Sequence, residues 1–375
     1  MSRRSSTEFD VIIVGAGPAG TAAAYDLRQA SLSVLLLDRH TFPRHKACAG
    51  GLTVKTIKAL RYSVAPVIQS RCRTLDIGKG LTRSVKFSGP GEICALTVRS
   101  ELDLFCLEKS LAAGARFRTA NRILSVRESQ NYVVLETADG PLKAAFLIGA
   151  DGVHSRIRRL AGELTYGYKG FAIEGTLPID PADPPRMAFD FNVVPSGYGW
   201  VFPKNDHANI GLFSGSPAVA LHKRRLYAYA RRKLGRTDLR HLSGHAMGMG
   251  GWRYPPRSRR ILLAGDAAGL VDPLLGEGLY NAVRSGQLAA RAIVSSQMNG
   301  KPAGSLYDRL LKGIRMDLRL GRLSAAWFYR WPNLGHWALT AKPVRYTLMK
   351  GFGLGWPLYR IGLGFYQLPF LTREK

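Results

Sequence analysis

The feature that most restricts how this chain folds lies within its first forty residues. Phe9 to Val14 read FDVIIV, a short β-branched run suited to a buried parallel strand. Gly15-Ala16-Gly17-Pro18-Ala19-Gly20 follows, then an Ala-rich helical stretch to about Gln29, and a second strand, Ser33 to Leu37, that ends on Asp38. The order is strand, GxGxxG, helix, strand, acid, with the acid 18 residues beyond the last glycine. Gly15 permits the tight turn, Gly17 lets the backbone approach a pyrophosphate, and Gly20 lets the helix pack on the strand. The helix start offers unpaired N–H groups and partial positive charge to phosphates, and Asp38 is placed to accept from ribose hydroxyls. The ordered set specifies a dinucleotide fold without separating FAD from NAD(P).

Two later strand ends repeat the theme. Leu147 to Ser155 read LIGADGVHS, an apolar strand end, then Asp151-Gly152, then a basic helix start with Arg156, Arg158 and Arg159. Arg260 to Leu279 read RILLAGDAAGLVDPLLGEGL, a strand ending on Gly265-Asp266, with a Gly-Glu-Gly turn after Pro273 that opens a helical stretch from Leu279 to Val294. A carboxylate at a buried strand end accepts charge-assisted bonds from a sugar or ribityl hydroxyl. The Gly276–Gly278 turn at a helix start offers N–H groups to the electron-rich edge of a flavin ring.

GxGxxG, DG and GD in this order resemble the FAD-dependent family typified by aromatic hydroxylases such as p-hydroxybenzoate hydroxylase. Val98-Arg99-Ser100-Glu101-Leu102-Asp103 is similar to that family's Arg-bearing helix start. The resemblance spans roughly residues 9 to 295. It implies extended FAD touching Gly15, Gly17, Gly20, Asp38, Arg99 and Asp266, with Ala19, Arg39, Arg44, Cys48, Pro273, Gly276, Gly278 and Leu279 completing the cofactor wall. The family's usual acid after the second strand is Glu, one methylene longer than Asp38.

Two further segments narrow the branch. Phe42-Pro43-Arg44-His45-Lys46-Ala47-Cys48-Ala49-Gly50-Gly51-Leu52 and Gly197-Tyr198-Gly199-Trp200-Val201-Phe202-Pro203-Lys204 resemble the K-x-C-x-G-G loop and Y-x-W-x-F-P strand of geranylgeranyl reductases. That resemblance implies FAD-dependent saturation of carbon–carbon double bonds in a polyprenyl chain. In a period-2 strand Tyr198, Trp200 and Phe202 share one face, an aromatic wall suited to a long hydrocarbon substrate. The same alternation suits a sandwich core. Cys48, with Arg44, His45 and Lys46 at hand to lower its pKa, is the candidate catalytic residue, in substrate positioning or a proton role; Glu277 is either a second proton donor or a turn cap. The alternatives are an FAD-dependent monooxygenase or halogenase of the same superfamily and, in another class, a catalytically idle lipid-binding module.

Composition bounds the rest. The 375 residues, 46% hydrophobic and 21% charged, are ordinary globular material with length for two or three domains. Lys+Arg 54 against Asp+Glu 26 gives +28, which calls for an anionic partner: an anionic membrane surface, a phosphorylated ligand or an acidic electron-transfer protein. Nucleic acid is the weakest of these readings, since no binding motif occurs. The electron donor is left between NAD(P)H, without a second Rossmann fingerprint, and a ferredoxin. Four cysteines without a CxxC pair argue against a disulfide scaffold or a metal site. The polar first ten residues lack a signal-peptide core, and no window holds 18 uninterrupted apolar residues, so the expected location is cytoplasmic and peripheral on the membrane.

Basic groups cluster at Lys223–Arg225, Arg231–Lys233 and Arg253 to Arg260. Ala325 to Thr372 contains no acid but four of the six tryptophans, among Arg330, Lys342, Arg345, Lys350 and Arg360. This is the composition of an interfacial membrane anchor, or else of a helical lid on the substrate domain. The expected fold class is α/β (α+β overall): a Rossmann-like FAD-binding domain, an interleaved antiparallel-sheet substrate domain and a C-terminal helical segment. Residues 1–70, 95–165 and 255–300 would form the first, 71–94 and 166–254 the second, and 301–375 the membrane-contacting third. Strand-like runs at 131–137, 168–177, 186–194, 198–203 and 208–214 are assigned to the substrate sheet.

Overall fold

Apolar runs alternating with helices place a parallel sheet at the centre of the first half of the chain. The computed structural model describes residues 8–89, 91–120, 122–163, 168–357 and 359–361. The elements begin with β1 (Phe9–Val14), α1 (Pro18–Gln29), β2 (Val34–Asp38), β3 (Gly51–Thr53), α2 (Val54–Ala59), β4 (Ile68–Cys72), β5 (Thr74–Lys79), β6 (Arg83–Ser88), β7 (Cys94–Thr97) and α3 (Arg99–Ala112). Next come β8 (Arg116–Thr119), β9 (Ile123–Glu128), β10 (Val133–Thr137), β11 (Gly140–Gly149), α4 (Arg156–Leu160), β12 (Tyr168–Pro178), β13 (Ala188–Phe191), β14 (Gly197–Pro203) and β15 (His207–Ser214). The chain continues through α5 (Lys223–Leu234), β16 (Arg240–Met249), β17 (Ile261–Leu263), α6 (Leu279–Asn299), α7 (Ala303–Leu310), α8 (Lys312–Arg330), α9 (Pro332–Thr340) and α10 (Lys342–Leu354).

The first sheet has the order β8-β2-β1-β11-β10-β9, with β17 also paired to β11. Strands β8, β2, β1, the end of β11 and β17 run parallel. Val11, Ile12 and Ile13 lie at its buried centre, as strands covered on both faces require. Two glycines let α1 seat tightly: a Cβ on Gly20 would lie 1.8 Å from the Gly15 carbonyl oxygen, and one on Gly286 of α6 would lie 2.1 Å from that of Ala19. The 131–137 run belongs here as β10, not in the substrate sheet as expected. It forms a hairpin with β11, Thr137 opposite Gly140, across a two-residue loop. Gly140 takes φ +110 and Thr137 Oγ1 donates to its carbonyl, so local turn chemistry decides the pairing.

The second sheet, β16-β12-β15-β14-β13-β5-β6, is antiparallel except between β13 and β5. Its period-2 alternation sorts two faces. Val201, Ile210 and Leu212 pack with Leu226 and Tyr229 of α5, while Tyr198, Trp200, Phe202 and Phe213 pack on the other side with Phe191 and Phe328. The Trp200 indole is accommodated by Gly211 directly across the ladder, where a Cβ would sit 2.1 Å from its ring. A third, separate sheet has the order β3-β7-β4; Cys94 and Leu96 of β7, Phe328 of α8 and Met349 of α10 pack in the cluster on the aromatic face of the second.

These contacts set an expected contrast in stability. Gly286→Ala drives a methyl into the Ala19 carbonyl and costs about 1–3 kcal/mol. Gly313→Ala, with nothing within 4 Å of the added carbon in α8, gains up to about 1 kcal/mol from helix propensity. Chemical denaturation of both variants measures the difference, and equal midpoints would contradict it.

Candidate active site

A single cavity of about 1030 Å³ runs between the first sheet and the aromatic face of the second, at the upper end of the about 300–1,000 Å³ of ordinary ligand pockets. At one end it is lined by Gly15, Gly17, Ala19, Asp38 and Arg39. Gly15 has φ +105, and a Cβ there would lie 2.2 Å from the Ala150 carbonyl oxygen, so only glycine fits this turn. Helix α1 starts at Gly17 without a side-chain cap, leaving its first-turn N–H groups for an anion. Arg44 brings a guanidinium nitrogen within 3.6 Å of a Cβ built on Gly17, and its Nε is buried with no hydrogen-bond partner among the described residues. A pyrophosphate satisfies both deficits. The residues therefore fit an extended FAD. Asp38 accepts from the Ala16 N–H at 2.9 Å and the His40 N–H at 3.0 Å, which turns the short carboxylate toward the glycine loop and leaves lone pairs for a ribose.

The middle of the cavity is lined by charged groups, among them Lys46, Arg99 and Asp266. Asp103, buried, accepts two bonds of 2.9 Å from Arg99 and lies 3.3 Å from Arg44. Burial alone would lower the Arg99 pKa, but Asp103 and then the Cys48 sulfur outweigh it and raise it. Asp266 is pushed up by burial and held back by Lys46 and Arg99. Lys46 is lowered to about 8, by burial and then by Arg99. Its Nζ is hydrogen-bonded to Nε2 of His245, whose pKa burial and then Lys46 lower to about 3. The Cys48 N–H donates to Glu174 at 2.9 Å, and Lys204 Nζ to the Ala49 carbonyl at 3.1 Å. Burial raises the Glu174 pKa, and the Cys48 N–H opposes it.

Beyond Cys48 the cavity becomes apolar, lined by Tyr198, Trp200, Phe202, Phe189 and Phe191 from the second sheet and by Phe328 of α8. The polar atoms of this wall are satisfied elsewhere: Tyr198 OH donates to the Leu275 carbonyl and Trp200 Nε1 to Asn209 at 2.7 Å. The chamber thus sees carbon.

Most residues singled out from the sequence converge on this cavity, including Arg99, Asp266, Gly276, Gly278 and Leu279. Gly20 and Pro273 do not line it. Gly20 serves helix packing, and Pro273 is buried against Gly321 of α8. Asp151 lines the cavity, yet its carboxylate is committed to Ser155 at 2.5 Å and to the Arg156 and Ile157 N–H groups, so it caps α4 instead of reaching for a ligand hydroxyl. Glu277 lines the cavity, bound to Lys55 at 2.6 Å and facing Thr53 at 3.2 Å. Asp103, Glu174 and His245 were not foreseen. Asp103 carries a sequence signal, one helical turn from Arg99; the other two meet the Lys46–Cys48 loop only through the register of β12 and β16.

Lys46 gives a pH-dependent expectation. Its folded pKa lies below the unfolded value of 10.5, so between those two values the unfolded chain binds more protons and stability contributed here rises with pH. From pH 7 to pH 9 the wild type gains about 1 kcal/mol relative to Lys46→Met. Denaturant unfolding of both proteins at the two pH values checks this; a constant difference would show an ordinary lysine.

Comparison with known proteins agrees with this geometry. Residues 8–229 match the family described as FAD binding domain. The menaquinone reductase of Mycobacterium tuberculosis is 33% identical over 84% of this chain and 83% of its own. Digeranylgeranylglycerophospholipid reductase 2 of Methanothermobacter thermautotrophicus is 30% identical over 83% of this chain and 85% of its own. A geranylgeranyl bacteriochlorophyll reductase-like protein from Thermoplasma acidophilum superposes with a TM-score of 0.74 at 23% identity, over 85% of this chain and 87% of that one. The fold alone is also shared with a flavin-dependent brominase, at a TM-score of 0.75, 15% identity and 98% and 100% coverage. The matched family, the two reductases and the cradle built for a dinucleotide agree: this chain is an FAD-dependent oxidoreductase and belongs to the geranylgeranyl reductase family.

Proposed function

We propose that this enzyme saturates carbon–carbon double bonds of a polyprenyl lipid of the geranylgeranyl type. The observation that carries the reading is the continuity of one cavity, from a dinucleotide cradle at the start of α1 to an aromatic chamber whose polar atoms are turned away. A hydrocarbon offers no hydrogen bonds, so such a wall holds it by contact area alone. The name of the digeranylgeranylglycerophospholipid reductase relative supports the same substrate class.

Reduced FAD, when bound, supplies hydride chemistry to carbon. Position, dryness and a proton are left to the protein. Phe189, Tyr198, Trp200 and Phe202 hold the substrate chain, and Phe328 of α8 roofs it against water. Saturating an alkene also requires a proton on the second carbon. Cys48 stands where the charged middle meets the apolar chamber, with the Gly50 N–H donating to its sulfur at 3.4 Å, and is the residue proposed to carry that proton at Sγ. Lys46, cationic below about pH 8, keeps the charged side of the junction positive. The donor that reduces the flavin is anionic in either form the +28 charge favours, NAD(P)H or an acidic ferredoxin-type protein. The same reading places the chain at the periphery of a membrane, where its substrate resides.

Anaerobic turnover of the dithionite-reduced enzyme with a geranylgeranyl lipid yields product with two added hydrogens per double bond, read by mass spectrometry. Cys48→Ala retains FAD and lowers the rate by about 10²-fold, the scale of a lost general acid. A product carrying oxygen or halogen, formed only in air, would replace this reading with monooxygenase or halogenase chemistry.

A further inference from the structure

Helices α8, α9 and α10 have two apolar faces. Toward the cavity they present Phe328, Leu339, Leu348, Met349 and Phe352. Toward solvent they leave Leu323 at 66%, Trp331 at 53%, Leu334 at 49%, Trp337 at 68% and Tyr346 at 62% exposure. Single exposed apolar residues are ordinary; a row of them on consecutive helices is a surface built for a partner. The chain between these rings is cationic, with Arg330, Lys342 and Lys350 exposed and no Asp or Glu from Leu318 to Ile361. Among the described residues no helix is long and apolar enough to cross a membrane. Helix breaks at Trp331 and Ala341, each followed by a helix with Pro in its first turn, keep the three segments short.

We propose that the outer face of α8–α10 docks on an anionic lipid bilayer, with its indoles at headgroup depth, and that these helices are the wall through which a lipid passes into the aromatic chamber. The docking stands on the surface itself; the passage rests on the polyprenyl reading. Indole and leucine side chains partition to the interface while lysine and arginine meet anionic headgroups, which is the combination this face carries. A second copy of the chain is a poor occupant, because this face would meet another surface of the same sign on a protein of charge +28. A nucleic acid would use the cations and leave the leucines in water.

The test is flotation of the FAD-loaded protein with vesicles of phosphatidylcholine alone and of phosphatidylcholine with phosphatidylglycerol. Binding is expected only to the anionic vesicles and is weakened by salt. A Trp331→Ser/Leu334→Ser/Trp337→Ser variant and, separately, a Lys342→Gln/Lys350→Gln variant each lose about tenfold in vesicle affinity. FAD content, melting temperature and reduction of detergent-dispersed substrate stay at the wild-type level in both. Equal flotation of variants and wild type, absence of binding to anionic vesicles, or a wild-type dimer abolished by the triple substitution would each overturn the docking. Docking that behaves as expected beside a wild type inert toward the dispersed lipid would instead overturn the polyprenyl reading and leave the membrane face standing.

Discussion

One buried carboxylate organises the centre of the molecule. Asp103 neutralises Arg99, on its own helix, and Arg44, on the loop leading to Cys48. Two guanidinium groups packed this closely repel one another, and each loses hydration on burial; a bidentate bond to a shared anion offsets both. Removing one partner of such a buried set typically costs about 3–5 kcal/mol, because the remaining charge is left without compensation. The Arg44 Nε, buried without a partner among the described residues, leaves the pair held by Asp103 one bond short, a deficit that fits the phosphate of a dinucleotide.

The loop from Arg44 to Gly51 gains its shape from both sides. On the dinucleotide side it is held by Asp103. On the substrate-sheet side Lys46 meets His245, Cys48 meets Glu174, and Ala49 meets Lys204. Each of these is a charged or polar group in a dry place, where an unmade bond costs more than on the surface. The consequence is a boundary only a few residues wide. On one side stand arginines, a lysine and carboxylates suited to a dinucleotide; on the other, rings whose hydroxyl and N–H groups are already bonded. Cys48 is on that boundary because its backbone is fixed by Glu174 and that of its neighbour Ala49 by Lys204.

How much of this was legible in the sequence depended on how local the cause was. The GxGxxG turn, α1 and β2 follow from neighbours within a few residues, and the structure shows them at the expected places. The aromatic face of β14 was visible for the same reason, since alternation is a local property. The 131–137 run was misplaced because an Ala-Asp-Gly hairpin outweighs resemblance to a substrate strand, and the turn was there to be seen. Asp151 has the composition of a ligand-binding acid and the hydrogen bonds of a helix cap, two roles that sequence does not distinguish. Glu174 and His245 depend on which residues of β12 and β16 lie opposite one another, and register across a seventy-residue separation leaves no trace in either strand.

A hydrocarbon chamber poses a transfer problem that a polar active site does not. Moving an isoprenoid of roughly twenty carbons through water costs on the order of 15 kcal/mol, taking about 0.8 kcal/mol per methylene. A chamber opening only to solvent would meet that cost at every turnover, however well its aromatic wall held the bound chain. Placing the roof of the chamber and the outermost apolar surface on the same three helices shortens the exposed path to the thickness of one helical layer. On the proposed docking, the lack of Asp or Glu from Leu318 to Leu354 of that layer serves the same end, since an anionic side chain there would repel an anionic membrane surface. On the proposed reading, the C-terminal composition and the chamber are two parts of one requirement: a hydrocarbon substrate must never be fully wet.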